Sequence, residues 1–414
     1  MKRLAVLFAV FIAVTLKSQT AEQIQPPERS DSAVAGFLAE QQTVVTSNNT
    51  IKLLKSGKEK FDDLFLAIKQ AKHHVHLEYF NFRNDSIARA LFMLLAEKAA
   101  QGVKVRALFD AFGNMSNNRP LQKEHLKKIR ESGIEIQVFD PIKFPFLNHI
   151  FHRDHRKIVV IDGETAYIGG INIADYYIKG LPKIGEWRDM HIRVEGSAVD
   201  YFQEIFLTMW NRTTKQNIGG ISCYPTHNSI DSGTRIAVVD RVPHKMPKLL
   251  RQTYLKAIAS AQKNIQIVNP YFIPPRSIRK ELQKAIKRGV RVEIMISEKS
   301  DVKFTPDGVF HVAGKLMKKG ADIYVYHTGF HHSKTMTVDS LFCTVGSANL
   351  DSRSLYFDYE TNAFIFDRKI TEKIIQIFET DKLKSTLLTP AQWKKRSKWR
   401  RFVGAVADWI HVFL

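Results

Sequence analysis

A duplication constrains this chain more than any other feature. His155-Arg156-Lys157-Ile158-Val159-Val160-Ile161-Asp162 and His332-Ser333-Lys334-Thr335-Met336-Thr337-Val338-Asp339 both read His-x-Lys-x4-Asp, with their histidines 177 residues apart (332 − 155). Gly169 and Gly346 keep that separation, and so do Asn172 and Asn349. Two copies in register are a far more specific signal than a single motif match. The repeat reaches beyond the motif. Residues 61–82 (FDDLFLAIKQAKHHVHLEYFNF) pass from helical periodicity into strand-like alternation, and residues 254–272 (YLKAIASAQKNIQIVNPYF) follow the same plan. Gly102 before VKVRALFD answers Gly289 before VRVEIMIS, and Gly133 before IEIQVFD answers Gly320 before ADIYVYH. Each half is therefore expected to run strand, helix, strand, helix, strand, an α/β unit with a largely central sheet. The polar, glycine-rich stretch from Asn211 to Gly233 has no periodicity and reads as the connection. The expected boundaries are 50–212 for the first half, 213–234 for the linker and 235–385 for the second half.

The spacing has a chemical meaning. A His and a Lys two apart on a strand point to the same face. The Asp falls where the strand turns, and Asn172 or Asn349 lies just past the returning strand. Packing the halves face to face would gather two His, two Lys and two Asn in one pocket. Two ammonium groups and two amides would bind the non-bridging oxygens of a phosphodiester. One imidazole would attack phosphorus while the other protonates the leaving oxygen. An acid follows each copy, Asp189 in the first and Glu360 in the second, and would hold an imidazole in the needed tautomer. No metal or other cofactor is called for, because the lysines serve as the charge clamp. His149, His152 and His155, and the cluster His73, His74 and His76, lack the Cys or acid that would complete a tetrahedral set. Glu78 is a further pocket candidate, with a polar sheet-end residue as the alternative.

The duplicated motif resembles that of the phospholipase D superfamily over nearly the whole chain after about residue 50, with the finer match to bacterial cardiolipin synthases. NHIFHRDHRKIVVIDGETAYIGGINIADYY is similar to their first motif block and GFHHSKTMTVDSLFCTVGSANLDSRSLYFDYE to their second, and WRDMHIRVEG and NPYFIPP are also similar to segments of that group. The resemblance implies two pseudo-twofold-related α/β halves, each a central mixed sheet flanked by helices, with one active site between them. It implies His155 as nucleophile, His332 as acid and base, and Lys157, Lys334, Asn172 and Asn349 as phosphate contacts. Asp162, Asp339, Asp189 and Glu360 match supporting acids. The implied reaction passes a phosphatidyl group from phosphatidylglycerol through a phosphatidyl-histidine to a second phosphatidylglycerol, giving cardiolipin; with water as acceptor the product is phosphatidic acid. The chain departs from the group at Phe357-Asp358, where Leu-Asn is usual, and in having one apolar N-terminal run where two transmembrane helices are common.

That run, Leu4 to Leu16, follows Lys2-Arg3 and holds 13 residues, too few to span a bilayer comfortably and suited to an export signal cleaved after Ser18. An uncleaved anchor and a buried first helix are the alternatives; the signal and the anchor both place the body outside the cytoplasm. Cys223 and Cys343 are expected to stay unpaired. There are 62 Lys and Arg against 41 Asp and Glu, a net charge of +21, which predicts an anionic partner. Two segments favour a membrane surface over nucleic acid. Lys143-Phe144-Pro145-Phe146-Leu147 would form an apolar lip for acyl chains, or else a buried loop. Residues 390–414 interleave basic residues with Trp393 and Trp399 and continue into Phe402, Val403, Val406, Trp409, Ile410 and Phe413 at helical spacing. This pattern predicts an interfacial helix on anionic lipid, the alternative being a helix docked on the body. An exported nuclease of the same superfamily and an inert lipid-binding protein are the rival readings.

Overall fold

The computed structural model describes residues 28–142, 151–220, 224, 233–302 and 305–410. The N-terminal run, the lip at 143–147 and Cys223 lie outside these residues. The first half comprises α1 (Ser30–Glu40), β1 (Val45–Leu54), α2 (Gly57–Gln70), β2 (His74–Tyr79), α3 (Ser86–Ala100), β3 (Lys104–Asp110), α4 (Ala111–Ser116), α5 (Lys123–Glu131), β4 (Glu135–Phe139), β5 (Lys157–Ile161), β6 (Thr165–Gly169), α6 (Tyr176–Lys179), β7 (Glu186–Arg188), β8 (His191–Gly196) and α7 (Val199–Thr214). The second half comprises β9 (Thr234–Arg241), α8 (Leu249–Ser260), β10 (Asn264–Val268), α9 (Arg276–Lys287), β11 (Arg291–Ser297), α10 (Thr305–Met317), β12 (Asp322–Tyr326), β13 (Gly329–His331), β14 (Thr335–Val338), β15 (Phe342–Gly346), α11 (Ser352–Tyr356), β16 (Glu360–Phe366) and α12 (Arg368–Lys382). The chain then continues through β17 (Ser385–Leu387), α13 (Pro390–Lys395) and α14 (Lys398–Trp409).

The two halves share one 15-stranded mixed sheet, ordered β17-β12-β11-β10-β14-β15-β16-β9-β1-β8-β6-β5-β2-β3-β4. Reading outward from the β9–β1 junction, β1-β8-β6-β5-β2-β3-β4 is matched strand for strand by β9-β16-β15-β14-β10-β11-β12. The pseudo-twofold axis thus passes between β1 and β9, which pair antiparallel at Val45↔Ala237 and Thr46↔Ile236. The halves join edge to edge, not face to face as the spacing alone had suggested. This junction removes two exposed edges that would otherwise template wrong pairings.

Local chemistry explains the elements. β2 and β10 run parallel to β3 and β11 and, Asn264 apart, are buried along their length, with polar residues alternating with Val75, Leu77, Ile265 and Ile267, which enter the apolar cores. Their helices stop at glycines in the left-handed region, Gly102 at φ 90° and Gly289 at φ 88°, where a Cβ would be strained. Side-chain oxygens cap helix starts, as when Ser56 accepts the Glu59 N–H and Asp367 the Ile370 N–H. α7 runs four residues, Asn211 to Thr214, into the stretch read as the connection. Trp210 is fully buried there, and the Thr213 and Thr214 hydroxyls donate back to the Met209 and Trp210 carbonyls. The segment's polar composition hid this last turn. α1 joins the apolar core of the second half through Val34, Ala35 and Leu38, although it precedes the first.

The duplicated aspartates lie far from the motif histidines. Asp162 and Asp339 occupy the turns at the distal ends of β5 and β14, with φ of 55° and 52°. Asp162 accepts the N–H groups of Lys72, His73 and His74 at 2.7–2.9 Å. Asp339 does the same for Gln262, Lys263 and Asn264 at 2.6–3.1 Å. Each carboxylate thus ties the helix–strand junction before the central parallel strand to the motif strand beside it. Asp162 and Asp339 thus do not sit in the active site as expected: the five-residue β5 separates Asp162 from the His155 end, and the four-residue β14 separates Asp339 from the His332 end. Removing Asp339 orphans three backbone donors, so Asp339→Ala should lower unfolding free energy by about 3 kcal/mol in urea titration, with Asp339→Asn losing less. An Asp339→Ala protein as stable as the parent but inactive would return this residue to the site.

Candidate active site

Each motif histidine is held by the other half. His155 donates its backbone N–H to Tyr359 O at 3.1 Å, and Tyr359 N–H returns to Arg153 O at 2.8 Å. On the pseudo-symmetric side β13 pairs parallel with β7, and His332 N–H donates to Arg188 O at 2.6 Å. These two bridges set the strand ends of one half against those of the other. The acids therefore serve the imidazoles crosswise. His155 Nδ1 lies 2.8 Å from Glu360 Oε1, and His332 Nδ1 lies 2.7 Å from Asp189 Oδ2. Glu360 also accepts the Ser347 hydroxyl at 2.5 Å, and Asp189 accepts the Met190 N–H at 2.7 Å, so both carboxylates are oriented in turn. With Nδ1 engaged, Nε2 of His155 is the nitrogen left for a reacting group, while Nε2 of His332 lies 3.0 Å from Lys334 Nζ.

Both histidines line a cavity of about 1000 Å³, together with Asn172 and Asn349. The amide oxygens of Asn172 and Asn349 are buried without a partner, and the Asn172 amide donates to Tyr177 OH at 3.2 Å. Lys157 and Lys334 lie just behind. Each ammonium donates to the carbonyl of its own motif histidine, at 2.5 Å for Lys157 and 2.6 Å for Lys334. The duplicated glycines permit the layering beneath. A Cβ on Gly169 would stand 2.4 Å from His191 Nδ1, and one on Gly346 would stand 2.3 Å from Asn362 Oδ1. All ten site residues singled out in the sequence are thus placed. Eight converge, and the two turn aspartates do not.

Electrostatics follows from burial. Burial pulls the Lys157 pKa down to about 7, Lys334 adding to the effect and Glu360 opposing it. Burial pulls Lys334 down to about 8 against Asp189 and Glu360. His155 is lowered by burial and by Lys157, with Glu360 resisting; His332 is lowered by burial and by Lys334, with Asp189 resisting. Burial works to raise Glu360, but His155 and Lys157 outweigh it and hold the carboxyl below its ordinary value. The free site is short of negative charge, and a phosphate anion would supply it.

Several residues escaped the sequence reading. Asp381, on α12, accepts from His331 Nε2 at 2.9 Å and pairs with Arg188 at 3.2 Å. His331 precedes His332 and Arg188 precedes Asp189, so one carboxylate braces both members of that dyad. No motif marks it, since it stands 49 residues beyond His332 on another element. Asp351 lines the cavity, caps α11 by accepting the Ser354 N–H at 2.7 Å, and is pushed up to about 7 by burial. It went unnoticed because the first half carries Ala174 at that offset from Asn172. Phe80 packs edge-on against His155, while Trp187, Tyr271 and Phe330 surround His332. Glu78 is not a pocket residue. It is fully buried against Arg156 at 3.2 Å, in a cluster where Arg156 also pairs with Asp240 at 2.7 Å, and burial and Asp154 raise its pKa well above the ordinary range. His152 turns away to the Phe357 carbonyl and His74 to Gln203, each ring thereby bonded within the protein.

Two crossed His–acid pairs with flanking lysines, mounted on a duplicated α/β sheet, define a phosphodiester-transferring enzyme. Comparison with known proteins agrees. The family described as cardiolipin synthase, phospholipase D-like domain, matches residues 64–210 and 254–382. The chain is 38% identical to the cardiolipin synthase of Listeria welshimeri, over 88% of this chain and 75% of the relative. It is 37% identical to the major cardiolipin synthase ClsA of Bacillus subtilis, with the same coverage of each. In fold it is similar to the crystal structure of phosphatidylserine synthase from Haemophilus influenzae, with a TM-score of 0.70 at 14% identity over 93% of this chain and all of that one. The chain belongs to the cardiolipin synthase family of phospholipase D-like enzymes.

The lysine shifts give a signed test. An anion in the pocket favours charged ammonium groups, so binding draws in protons wherever the free lysines have lost them. Affinity for dimethyl phosphate, a diester without a proton to gain in this range, should be highest below pH 7. It should fall as pH rises through about 7 to 9, by up to about ten-fold per pH unit for each lysine involved. Calorimetry across buffers of different ionisation heat would read the proton uptake; an affinity flat or rising over that range would sink the clamp.

Proposed function

We propose that this phosphatidyltransferase joins two molecules of phosphatidylglycerol into cardiolipin and releases glycerol. One observation carries the reading: two imidazoles, each oriented by a buried acid of the opposite half, open onto one cavity backed by two lysines. His155 Nε2 attacks phosphorus, the bond from phosphorus to the glycerol oxygen breaks, and that oxygen takes the proton of His332. A phosphatidyl-histidine results. His332 then removes the proton from a glycerol hydroxyl of a second phosphatidylglycerol, whose oxygen attacks phosphorus as the P–N bond breaks. Glu360 and Asp189 stabilise the imidazolium forms, and Lys157, Lys334, Asn172 and Asn349 bind the phosphoryl oxygens.

The ring of aromatic side chains around His332 favours transfer over hydrolysis, because a dry pocket keeps water from the intermediate. Phospholipid at an anionic membrane surface is the partner that fits the net charge of +21. The N-terminal apolar run supports work on the outer side of the cytoplasmic membrane. Among the described residues no helix is long and apolar enough to cross a bilayer.

The test is turnover of phosphatidylglycerol vesicles by the purified protein in EDTA, with products read by mass spectrometry. Cardiolipin and glycerol in equal amounts are expected, and His155→Ala should lower the rate at least about 10⁴-fold. Phosphatidic acid alone would make the enzyme a hydrolase. An active His155→Ala protein would remove the nucleophile.

A further inference from the structure

The two C-terminal helices are bound to the body at its active-site side. α14 crosses α10 through small residues: a Cβ on Gly404 would stand 2.4 Å from the Asp307 carbonyl, and a Cβ on Gly308 would meet Ala407 at 3.1 Å. The Trp393 indole N–H donates to Phe310 O at 3.2 Å, and Arg396 pairs with Asp307. Residues 390–414 carry six Lys and Arg and a single acid, Asp408. That acid faces inward, 2.5 Å from Arg279, 2.8 Å from Lys315 and 3.7 Å from His311. The only negative charge of the tail is therefore spent on docking, and the exposed surface of the helix is left basic.

The same helix has two further stripes. Val403, Val406, Ala407 and Ile410 line the active-site cavity. Trp399, Phe402 and Trp409 stand in the open, 70%, 59% and 78% exposed, and none of them lines the cavity. Val406 belongs to both stripes, being 38% exposed and also a cavity residue, so the exposed aromatic ridge runs without a break into the cavity wall. Tryptophans beside arginines and lysines on a short helix suit the boundary of headgroups and acyl chains. A polynucleotide would match the charge but gives no reason for an apolar ridge to continue into the cavity.

Resting on the function proposed above, we propose that α14 seats the enzyme on an anionic membrane and is itself the acyl-side wall of the active site. A phospholipid then slides from the bilayer over Val403, Val406 and Ile410 while its headgroup reaches His155 and His332, and Asp408 pins the wall in register with the cavity.

The test uses the full chain, as the parent, as Trp399→Glu/Trp409→Glu and as Val406→Trp. Vesicles of phosphatidylcholine with and without phosphatidylglycerol serve for sedimentation, and turnover is compared on vesicle phosphatidylglycerol and on monomeric dihexanoyl phosphatidylglycerol. The parent should bind the anionic vesicles and leave the neutral ones. The double variant should bind anionic vesicles at least about ten-fold more weakly, and its ratio of vesicle to monomer turnover should fall by a similar factor. Val406→Trp should bind vesicles like the parent, yet lower the ratio of long-chain to short-chain turnover about ten-fold. Unchanged vesicle binding by the double variant, equal losses on vesicle and monomeric substrate, or a chain-length ratio untouched by Val406→Trp would each overturn the proposal. So would loss of binding to a single-stranded oligonucleotide with vesicle binding intact. A parent that binds vesicles through these tryptophans but turns over neither lipid would instead count against the reaction, leaving the membrane seat standing.

Discussion

The structure depends on an exchange of strand ends across the pseudo-twofold axis. The backbone bond from His332 to Arg188 and the reciprocal bonds among Arg153, His155 and Tyr359 place each imidazole beside an acid from the other half. Neither half could hold its histidine alone, because its own downstream acid points across the axis. The sheet junction at β1 and β9 gives the exchange a rigid frame, as both halves then share one hydrogen-bonded ladder. Displacing either half would cost the junction pairs and both dyads together, so the site is a property of the pair.

Burying four potential cations in one place is costly unless something offsets them. Two carboxylates do part of this, and the lowered lysines show that the compensation is incomplete. A phosphodiester brings the missing negative charge, so the same arrangement that burdens the empty site favours the occupied one. The support below is built from charge as well. Arg156, the residue between His155 and Lys157, is locked among Asp240, Glu78 and Asp154, which fixes β5 against the junction strands. Asp381 does comparable work under His332 and Asp189.

The cavity shows where chemistry ends and recognition begins. Its floor is polar and duplicated, and much of its wall is duplicated too, but one side comes from Val403, Val406, Ala407 and Ile410 of the C-terminal segment, which has no counterpart across the axis. A symmetric pair of nucleophile and acid is enough to handle a phosphodiester. Distinguishing a lipid needs an asymmetric apolar approach, and the terminal helix supplies one that is continuous with an exposed aromatic surface.

The sequence by itself determined the duplication, the order of strands and helices in each half, and the pairing of His with Lys on one strand face. These are readable because register and side-chain alternation are local: two residues along a strand return to the same side whatever surrounds them. It also marked the duplicated Asn and Gly, and an acid downstream of each copy. Only the tertiary structure decided which acid serves which histidine, since a crossed pairing and a same-half pairing have identical sequences. It decided that Asp162 and Asp339 cap backbone at the far strand ends, because a duplicated spacing fixes distance along a strand but not what waits at its end. It brought in Asp381, which acts through two contacts made 50 and 193 residues away along the chain. And it resolved the C-terminal helix into one that is both docked and exposed, because amphipathicity tells that a helix has two faces and only packing tells what each face meets.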